Sequence, residues 1–401
     1  MMKKLVICGG GSSAHTLIPL LSKTDFEVSV LTSKPQEWSH TIELDYKNPQ
    51  GEVLRSFRGF ISQITNNPED CVPQADYIVL CMPVHKYRVA LHNIAPFING
   101  EKDVMVGTVY GQGGFNWMVD DIKKQYQLTN IVTFAFGLIP WICRIEKYGH
   151  KGITYGPKVV NAAAVYPKEY FPQLASELFD PICYDWFGVG KTEALDNFLS
   201  ITLSADNQII HPTRCYGLYK VHGSTWSTVD DVPLFYKDYD EFSGKILADL
   251  DDDYTKIREQ IKQMNPNMDF HYMLNYLDLE HYTYHSRSVD IVDSFVNSPT
   301  LQAIRTPVVA NDNGEVELDK NCRFFMDDIY YGVAIAKWIA EQLNIDTPTI
   351  DNILRWAQEM RSERIIADNN HLILDSMDLA TPMKSGIPYY YGLTKIQEIL
   401  G

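Results

Sequence analysis

The chain has 401 residues, which is enough for two domains that each bury a hydrophobic core. Its formal net charge of −16 argues against nucleic acid or an anionic membrane surface as a general partner. No segment approaches the roughly 20 apolar residues of a membrane span, and the apolar run after Lys3 and Lys4 is too short for a signal peptide. The 7 cysteines stand singly, without a Cys-x-x-Cys pair, which predicts reduced thiols and a cytoplasmic protein.

The first predicted element is a strand that leads into a glycine-rich turn and a helix. Residues 5–8 are apolar, and the turn has the pattern G-x-G-x-x-A. At such a turn the free N–H groups of the helix N-terminus bind a pyrophosphate. Gly9 would permit the tight turn, Gly11 would let the pyrophosphate approach, and Ala14 would allow close helix packing. The alternative is a turn without a ligand. The predicted cofactor-binding residues here are Gly9, Gly10, Gly11, Ser12, Ser13 and Ala14.

Strands and helical segments continue to alternate along the chain, which predicts a mostly parallel sheet with helices on both faces. From about residue 185, helical periodicity replaces the strand pattern. We therefore predict an α/β protein, with an N-terminal Rossmann-type dinucleotide-binding domain over 1–184 and a mainly α-helical domain over 185–401. The further strands are predicted at 27–32, 75–81, 104–108, 131–136 and 158–165.

Two helices of the second domain are predicted from local patterns. Apolar residues at a spacing of 3–4 between Ile246 and Met264 indicate one long helix, and the aspartates within 249–253 are expected on its solvated face. Thr347 and Pro348 have the residue types of an N-cap and a first helical position.

The residues after the second strand bear on the choice of cofactor. NAD-dependent enzymes usually have an acidic residue there that binds the ribose 2′-hydroxyl, whereas this chain has Thr32, Ser33 and Lys34. A lysine and two hydroxyls can hold a 2′-phosphate, so we predict that NADPH is favoured; a surface lysine with NADH bound is the alternative. Met82 and Pro83, which close the strand at 75–81, are also predicted to contact the cofactor.

Two segments of the second domain carry candidates for chemistry. His211 is predicted at the end of a helical pattern that begins near Leu195, and histidine is suited to proton transfer near neutral pH. Arg323 and Asp328 lie at the start of an apolar helix, where the arginine can bind a carboxylate and the aspartate can orient an imidazole. The alternatives are a core histidine and an acidic helix N-terminus. No metal site is predicted.

Together these segments resemble the octopine/nopaline (opine) dehydrogenase family. The opening at 8–17 resembles that of the family, and Asn207 to Pro212 fits its N-x-x-x-H-P element. Residues 139–145 resemble its "LPWACRI" segment, and 323–328 fit its R-[YF]-x-x-[ED]-D element. The segment Pro-Leu-Phe-Tyr at 233–236 also resembles the invertebrate octopine-type enzymes. The resemblance spans essentially the whole chain.

The resemblance implies an enzyme that condenses the amine of an amino acid with a 2-oxo acid and reduces the imine with NAD(P)H. It implies His211 as the acid/base, Asp328 as the residue that orients it, and Arg323 and Gln112 as ligands of substrate carboxylates. The expected partners are these small molecules, and the expected state is a monomer or homodimer. The alternatives are a 2-oxo or hydroxy acid reductase of a related two-domain type and a non-catalytic dinucleotide-binding protein.

Two positions depart from the pattern of the family and are predicted to shape the substrate pocket. Gly137 stands where octopine-type enzymes have a glutamate positioned for the arginine substrate, and Asn207 replaces an aromatic residue of the mollusc enzyme. A carboxylate is a strong charge-assisted partner for a guanidinium. Without it, arginine is not expected to be the amine donor.

Overall fold

A computed structural model of the chain describes residues 2–204, 206–379 and 384–399. It divides into two compact units, the first comprising 1–111 and 115–201 and the second comprising 112–114 and 202–401. This boundary lies later than the predicted one at 184/185, because the strand Thr192–Leu195 still pairs with the sheet of the first unit. Among the described residues, no helix is both long and apolar enough to cross a membrane.

The first unit is built on an eight-stranded sheet of order β12-β11-β8-β7-β6-β1-β2-β5. Each neighbouring pair is parallel except β8 and β11, which run antiparallel. The predicted, mostly parallel sheet is therefore confirmed. Its strands are β1 (Lys3–Cys8), β2 (Phe26–Leu31), β5 (Gln63–Thr65), β6 (Tyr77–Leu80), β7 (Val104–Thr108), β8 (Ile131–Phe136), β11 (Asn161–Tyr166) and β12 (Thr192–Leu195), with β3, β4, β9 and β10 forming a separate sheet.

That separate sheet has four strands in the order β4-β3-β10-β9 and was not predicted. Its strands are β3 (Thr41–Lys47), β4 (Val53–Phe60), β9 (Trp141–Lys147) and β10 (Lys151–Pro157). Helix α1 (Ser12–Leu20) packs on it, and a Cβ at Gly59 would lie 2.4 Å from the carbonyl oxygen of Ile18. The remaining helices of the unit are α2 (Tyr87–Ile94), α3 (Phe115–Tyr126), α4 (Phe171–Leu174), α5 (Asp180–Ile182) and α6 (Tyr184–Phe187), with a π-helical turn at Ala175–Phe179.

The second unit is mainly helical, as predicted, and its longer stretch begins within the short helix α7 (Leu199–Leu203). It also contains a small sheet of β13 (Thr225–Trp226), β14 (Val308–Ala310) and β15 (Val316–Leu318). Helix α9 confirms the predicted long helix, and its apolar stripe is buried from Leu247 to Ile261. The ends of the predicted stripe are not buried, since Ile246 is half-buried and Met264 is exposed. The helices are α8 (Asn207–His222), α9 (Glu241–Met264), α10 (Tyr276–Tyr284), α11 (Ile291–Val296), α12 (Arg323–Met326), α13 (Ala334–Leu343) and α14 (Pro348–Arg361), with a π-helical turn at Ile329–Val333.

Two aspartates of α9 are buried, contrary to the expectation of a solvated face. Asp251 is 8% exposed and Asp253 is 1% exposed, whereas Asp252 between them is exposed. The Oδ2 atom of Asp253 accepts hydrogen bonds from the backbone N–H groups of Thr349 (2.7 Å) and Ile350 (3.2 Å). Burial is possible because a helix remote in sequence supplies these donors.

Asp253 consequently caps α14 from another helix. Pro348 is the first residue of α14, as predicted, and Thr347 occupies the N-cap position. The Thr347 side chain makes no capping hydrogen bond, and its hydroxyl has no partner among the described residues. The carboxylate of Asp253 satisfies the first N–H groups instead and favours the positive end of the helix.

We predict that Asp253→Ala lowers the free energy of unfolding by about 1–2 kcal/mol, the usual loss for a helix cap. Asp253→Asn keeps an oxygen acceptor and should lose less. Asp252→Ala is the matched control, since exposed substitutions typically change stability by under about 0.5 kcal/mol. Urea unfolding followed by circular dichroism measures the three variants. Equal midpoints for Asp253→Ala and Asp252→Ala would contradict the capping role.

Candidate active site

The glycine-rich turn between β1 and α1 is packed tightly against the end of β6. Gly9 has a φ of +99°, and a Cβ there would lie 2.7 Å from the carbonyl oxygen of Cys81. The N–H of Gly11 donates to the same oxygen at 3.0 Å, and Gly11 occupies the N-cap of α1 without a capping side chain. Ser12 and Ser13 form the first turn of α1, and Ala14 is fully buried. This geometry suits an anion at the helix N-terminus.

The structure gives a reason for glycine at position 11 besides the predicted approach of a pyrophosphate, which stays a prediction. A Cβ on Gly11 would lie 3.0 Å from the carbonyl oxygen of Cys81. The missing side chain therefore lets the turn approach the end of strand β6. A Cβ on Gly10 would lie 2.4 Å from the hydroxyl of Tyr148. Tyr148 was not predicted from the sequence, since it lies on a distant β-hairpin.

A cavity of about 670 Å³ adjoins this turn within the first unit. Its volume falls in the range of small-molecule and cofactor sites, about 300–1,000 Å³. Its lining includes five of the predicted cofactor residues, which are Gly9, Gly10, Thr32, Ser33 and Met82. The residues present therefore fit a dinucleotide. The cavity is also lined by Lys86, Asn66 and Tyr148, which were not predicted from the sequence. Lys86 follows Met82 and Pro83 closely in the chain, so its position after the strand was the available signal.

Lys34 forms an ion pair that was not predicted from the sequence. Its Nζ lies 3.2 Å from a carboxylate oxygen of Glu37, and both side chains are largely exposed. The same Nζ lies 5.6 Å from the ring centroid of Tyr148, which lines the cavity. Lys34 is thus near the cavity, but the carboxylate of Glu37 partly compensates its positive charge.

His211 lies in the second turn of a helix, which corrects its predicted place at a helix end. Helix α8 begins at Asn207, where the Asp206 side chain accepts from the backbone N–H. The apolar residues before it belong to β12 and α7. Pro212 lies inside the helix, and the hydroxyl of Thr213 bonds to nearby helix carbonyls.

The structure brings His211 and Asp328 together in the second unit. Nδ1 of His211 lies 2.7 Å from Oδ2 of Asp328, and Nε2 of Gln112 donates to Oδ1 of Asp328 at 3.0 Å. His211 and Gln112 are fully buried, and Asp328 is 1% exposed. The ring of Phe324 stacks on the imidazole with centroids 3.8 Å apart. The roles implied for these residues remain predictions, but Gln112 has Asp328 as a partner, whereas the resemblance implied a substrate carboxylate.

Burial sets the protonation of this pair. It lowers the pKa of His211 well below its usual value, and the positive charge of Arg323 lowers it further. Burial also raises the pKa of Asp328 to about 8, against the opposing effects of Arg323 and the Gln112 hydrogen bond. Both shifts favour the uncharged forms of the two groups over a separated ion pair. A carboxyl with a pKa of about 8 can hold a proton at neutral pH and release it to a hydrogen-bonded imidazole.

A widened helical turn positions Asp328. The turn Ile329–Val333 is π-helical, and the N–H of Val333 donates to the carbonyl of Asp328 at 2.9 Å. A Cβ at Gly332 would lie 2.4 Å from Cβ of Gln208 on α8. Glycine therefore allows this turn to pack directly on the helix that carries His211. Such π-helical turns are frequent at functional sites.

A buried arginine holds the loop that faces His211. Arg214 is fully buried; its Nε donates to the carbonyl of Phe235 at 3.0 Å and its Nη2 to that of Asp238 at 2.7 Å. The loop places the hydroxyl of Tyr236 3.1 Å from Nε2 of His211. Tyr236 was part of the family resemblance at 233–236, but no role was predicted for it.

The other predicted substrate residues lie in both units. Arg323 is exposed, with its guanidinium carbon 5.1 Å from the ring centroid of Phe324. Asn207 is half-buried, one helical turn before His211. Gly137 belongs to the first unit, where it is buried and donates to the carbonyl of Ala162. In the described part of the chain, no group of three or more His, Cys, Asp or Glu side chains is arranged to hold a metal ion.

Residues 194–361 match the family model described as "NAD/NADP octopine/nopaline dehydrogenase, alpha-helical domain". The chain is 25% identical over 408 residues to an opine dehydrogenase of Haliotis discus hannai. The aligned region covers 96% of this chain and 98% of that protein. These matches confirm the resemblance noted in the sequence.

Solved structures agree on the fold. The structure of octopine dehydrogenase with NADH and L-arginine has a TM-score of 0.80 at 22% identity, covering 99% of this chain and 98% of that one. Yersinopine dehydrogenase with NADP+ bound has a TM-score of 0.67 at 14% identity, covering 99% of both chains.

Proposed function

Because residues 194–361 of this chain carry the alpha-helical domain of the octopine/nopaline dehydrogenase family, we propose that it is an NAD(P)H-dependent opine dehydrogenase. The reaction condenses the amine of an amino acid with a 2-oxo acid such as pyruvate and reduces the resulting imine, so that the enzyme acts on a CH–NH group. The observation that carries the proposal is the buried pair of His211 and Asp328, held by Gln112. The small-molecule partners follow from this reaction, and a cytoplasmic monomer or homodimer stays our expectation.

The proposed roles follow from the chemistry of each group. A nicotinamide cofactor held at the cavity beside the glycine-rich turn would supply the hydride that reduces the imine. Loss of water from the carbinolamine requires a proton, which His211 supplies while Asp328 holds its Nδ1 and compensates the charge. Gln112 fixes the carboxylate of Asp328 from the other side. The exposed guanidinium of Arg323 is suited to bind a substrate carboxylate.

We infer that the amine donor is a small neutral amino acid, because Gly137 supplies no carboxylate for a cationic side chain. Amino acids crossed with pyruvate, glyoxylate and 2-oxoglutarate, followed by NAD(P)H absorbance, test the function and the donor together. We expect oxidation of the cofactor only when both an amine and a 2-oxo acid are present, with arginine among the poor donors.

Three results of this panel would contradict the proposal in different ways. Oxidation by a 2-oxo acid without an amine would favour a hydroxy acid dehydrogenase. Cofactor binding without turnover of any pair would favour a regulatory protein. The highest kcat/KM for arginine would overturn the inference drawn from Gly137.

We predict that His211 and Asp328 act as one unit. His211→Ala should lower kcat by about 10²–10⁴-fold, the range for a positioned proton donor, with cofactor affinity unchanged. Asp328→Asn should give a similar or smaller loss, and the double variant should lose little more than the worse single one. Losses that multiply would show that the residues act separately.

The pH dependence of kcat tests the proposed roles of His211 and Asp328 independently. Burial raises the pKa of Asp328 to about 8, so the pair holds its extra proton below that pH and loses it above. The kcat for reductive condensation should therefore fall as the pH rises through about 8, and the kcat for oxidation of the opine should rise. Asp328→Asn should remove this dependence.

We also propose that NADPH is preferred over NADH. Thr32 and Ser33 line the cavity, Lys86 adds a positive charge, and no acidic residue is among the described residues that line it. Lys34→Ala should weaken NADPH binding about fivefold, or about 1 kcal/mol, and leave NADH binding unchanged. Fluorescence titration measures both, with the exposed Lys245→Ala of the second unit as control. Equal losses for the two cofactors would contradict the preference.

A further inference from the structure

The proton donor of the proposed reaction is enclosed by other side chains. His211 has no exposed surface, its Nδ1 faces Asp328, and the Phe324 ring covers one face of the imidazole. The ring of Phe235 packs edge-on with centroids 5.6 Å apart. The second ring nitrogen, Nε2, faces the hydroxyl of Tyr236 at 3.1 Å. The nitrogen that should deliver the proton therefore already has a hydrogen-bonding neighbour.

We propose that Tyr236 is a further catalytic residue, one that carries the proton between His211 and the substrate; this rests on the proposed function. A phenol hydroxyl is suited to this because it donates one hydrogen bond while it accepts another. Tyr236 is 7% exposed, whereas His211 is not exposed at all. The tyrosine thus retains a small accessible surface that the imidazole lacks.

The bonds and protons of the proposed transfer balance. The O–H bond of Tyr236 breaks as its proton passes to the hydroxyl of the carbinolamine, whose C–O bond breaks to release water and leave an iminium ion. The phenol oxygen takes up the proton of Nε2 at the same time. Tyr236 ends unchanged, and the pair of His211 and Asp328 ends with one proton fewer.

The contacts of the loop around Tyr236 favour a fixed relay residue over a side chain that moves aside to admit the substrate. Arg214 holds the backbone carbonyls on both sides of the tyrosine, at Phe235 and Asp238. The Tyr236 ring also packs on Phe295, with centroids 5.3 Å apart. These contacts fix the phenol where it meets Nε2, and a fixed donor is what proton transfer requires.

The first test is Tyr236→Phe, with Tyr239→Phe as the matched control. Tyr239 is a buried tyrosine of the same loop whose ring also packs on Phe295, at 4.4 Å. Tyr236→Phe should lower kcat by about 10²-fold, the lower part of the range for proton transfer, with KM and cofactor affinity within about twofold. Tyr239→Phe should retain the activity of the unaltered enzyme.

A second measurement separates a relay from a structural role and does not depend on removing the hydroxyl. Incorporation of a fluorinated tyrosine at position 236 keeps the shape of the ring and lowers the pKa of the phenol. The basic limb of the kcat profile should then move to lower pH, and the same replacement at Tyr239 should leave the profile in place.

The outcomes distinguish the relay from the proposed function. Turnover by the unaltered enzyme together with near-normal kcat in Tyr236→Phe would overturn the relay alone and show that His211 reaches the substrate directly. A higher kcat in Tyr236→Phe would overturn it in favour of a blocking phenol. Failure of the unaltered enzyme with every amine and 2-oxo acid pair would overturn both proposals.

Discussion

The burial of His211 and Asp328 is the constraint on which the second unit depends. Removing one partner of a buried hydrogen bond leaves the other unsatisfied and typically costs about 1–3 kcal/mol, so the two side chains must be kept together and their remaining polar atoms satisfied. Three segments far apart in sequence meet this requirement, which are the loop that carries Gln112, helix α8 and the turn around Asp328. The same burial raises the pKa of the Asp328 carboxyl to about 8. The packing and the proposed chemistry therefore have one physical origin.

Local patterns in the sequence were sufficient for much of the fold. Patterns of neighbouring residues marked the strand, glycine turn and helix at the N-terminus and the parallel strands. The apolar spacing of 3–4 marked the long helix α9. The four-stranded sheet was not recovered, since β3 and β4 carry charged and exposed residues that hide their alternation. The start of α8 was misplaced because the apolar pattern runs through β12 and α7 without an obvious break.

The candidate site shows the same division between local and distant information. His211 and Asp328 stand in recognisable motifs, and the structure brings them to hydrogen-bonding distance. The contacts of Gln112, Tyr236 and Lys34 depend on segments that only the folded chain brings together. The buried Asp253 is a further example, since its N–H donors lie almost 100 residues away on another helix. Residue type at one position cannot report such neighbours.

The anchoring of the 234–240 loop has a consequence for how this protein can change over time. Arg214 binds main-chain oxygens of that loop, which every amino acid possesses. At Phe235 and Asp238 the arginine holds the loop through main-chain atoms, whereas the carboxylate of Asp240 is itself a partner of Arg214. Substitution of Tyr236 can therefore alter the chemistry offered to a substrate without removing a contact of Arg214. We expect the arginine to be less replaceable than the residues whose carbonyls it binds, since a lysine lacks the planar set of donors that reaches several carbonyls at once.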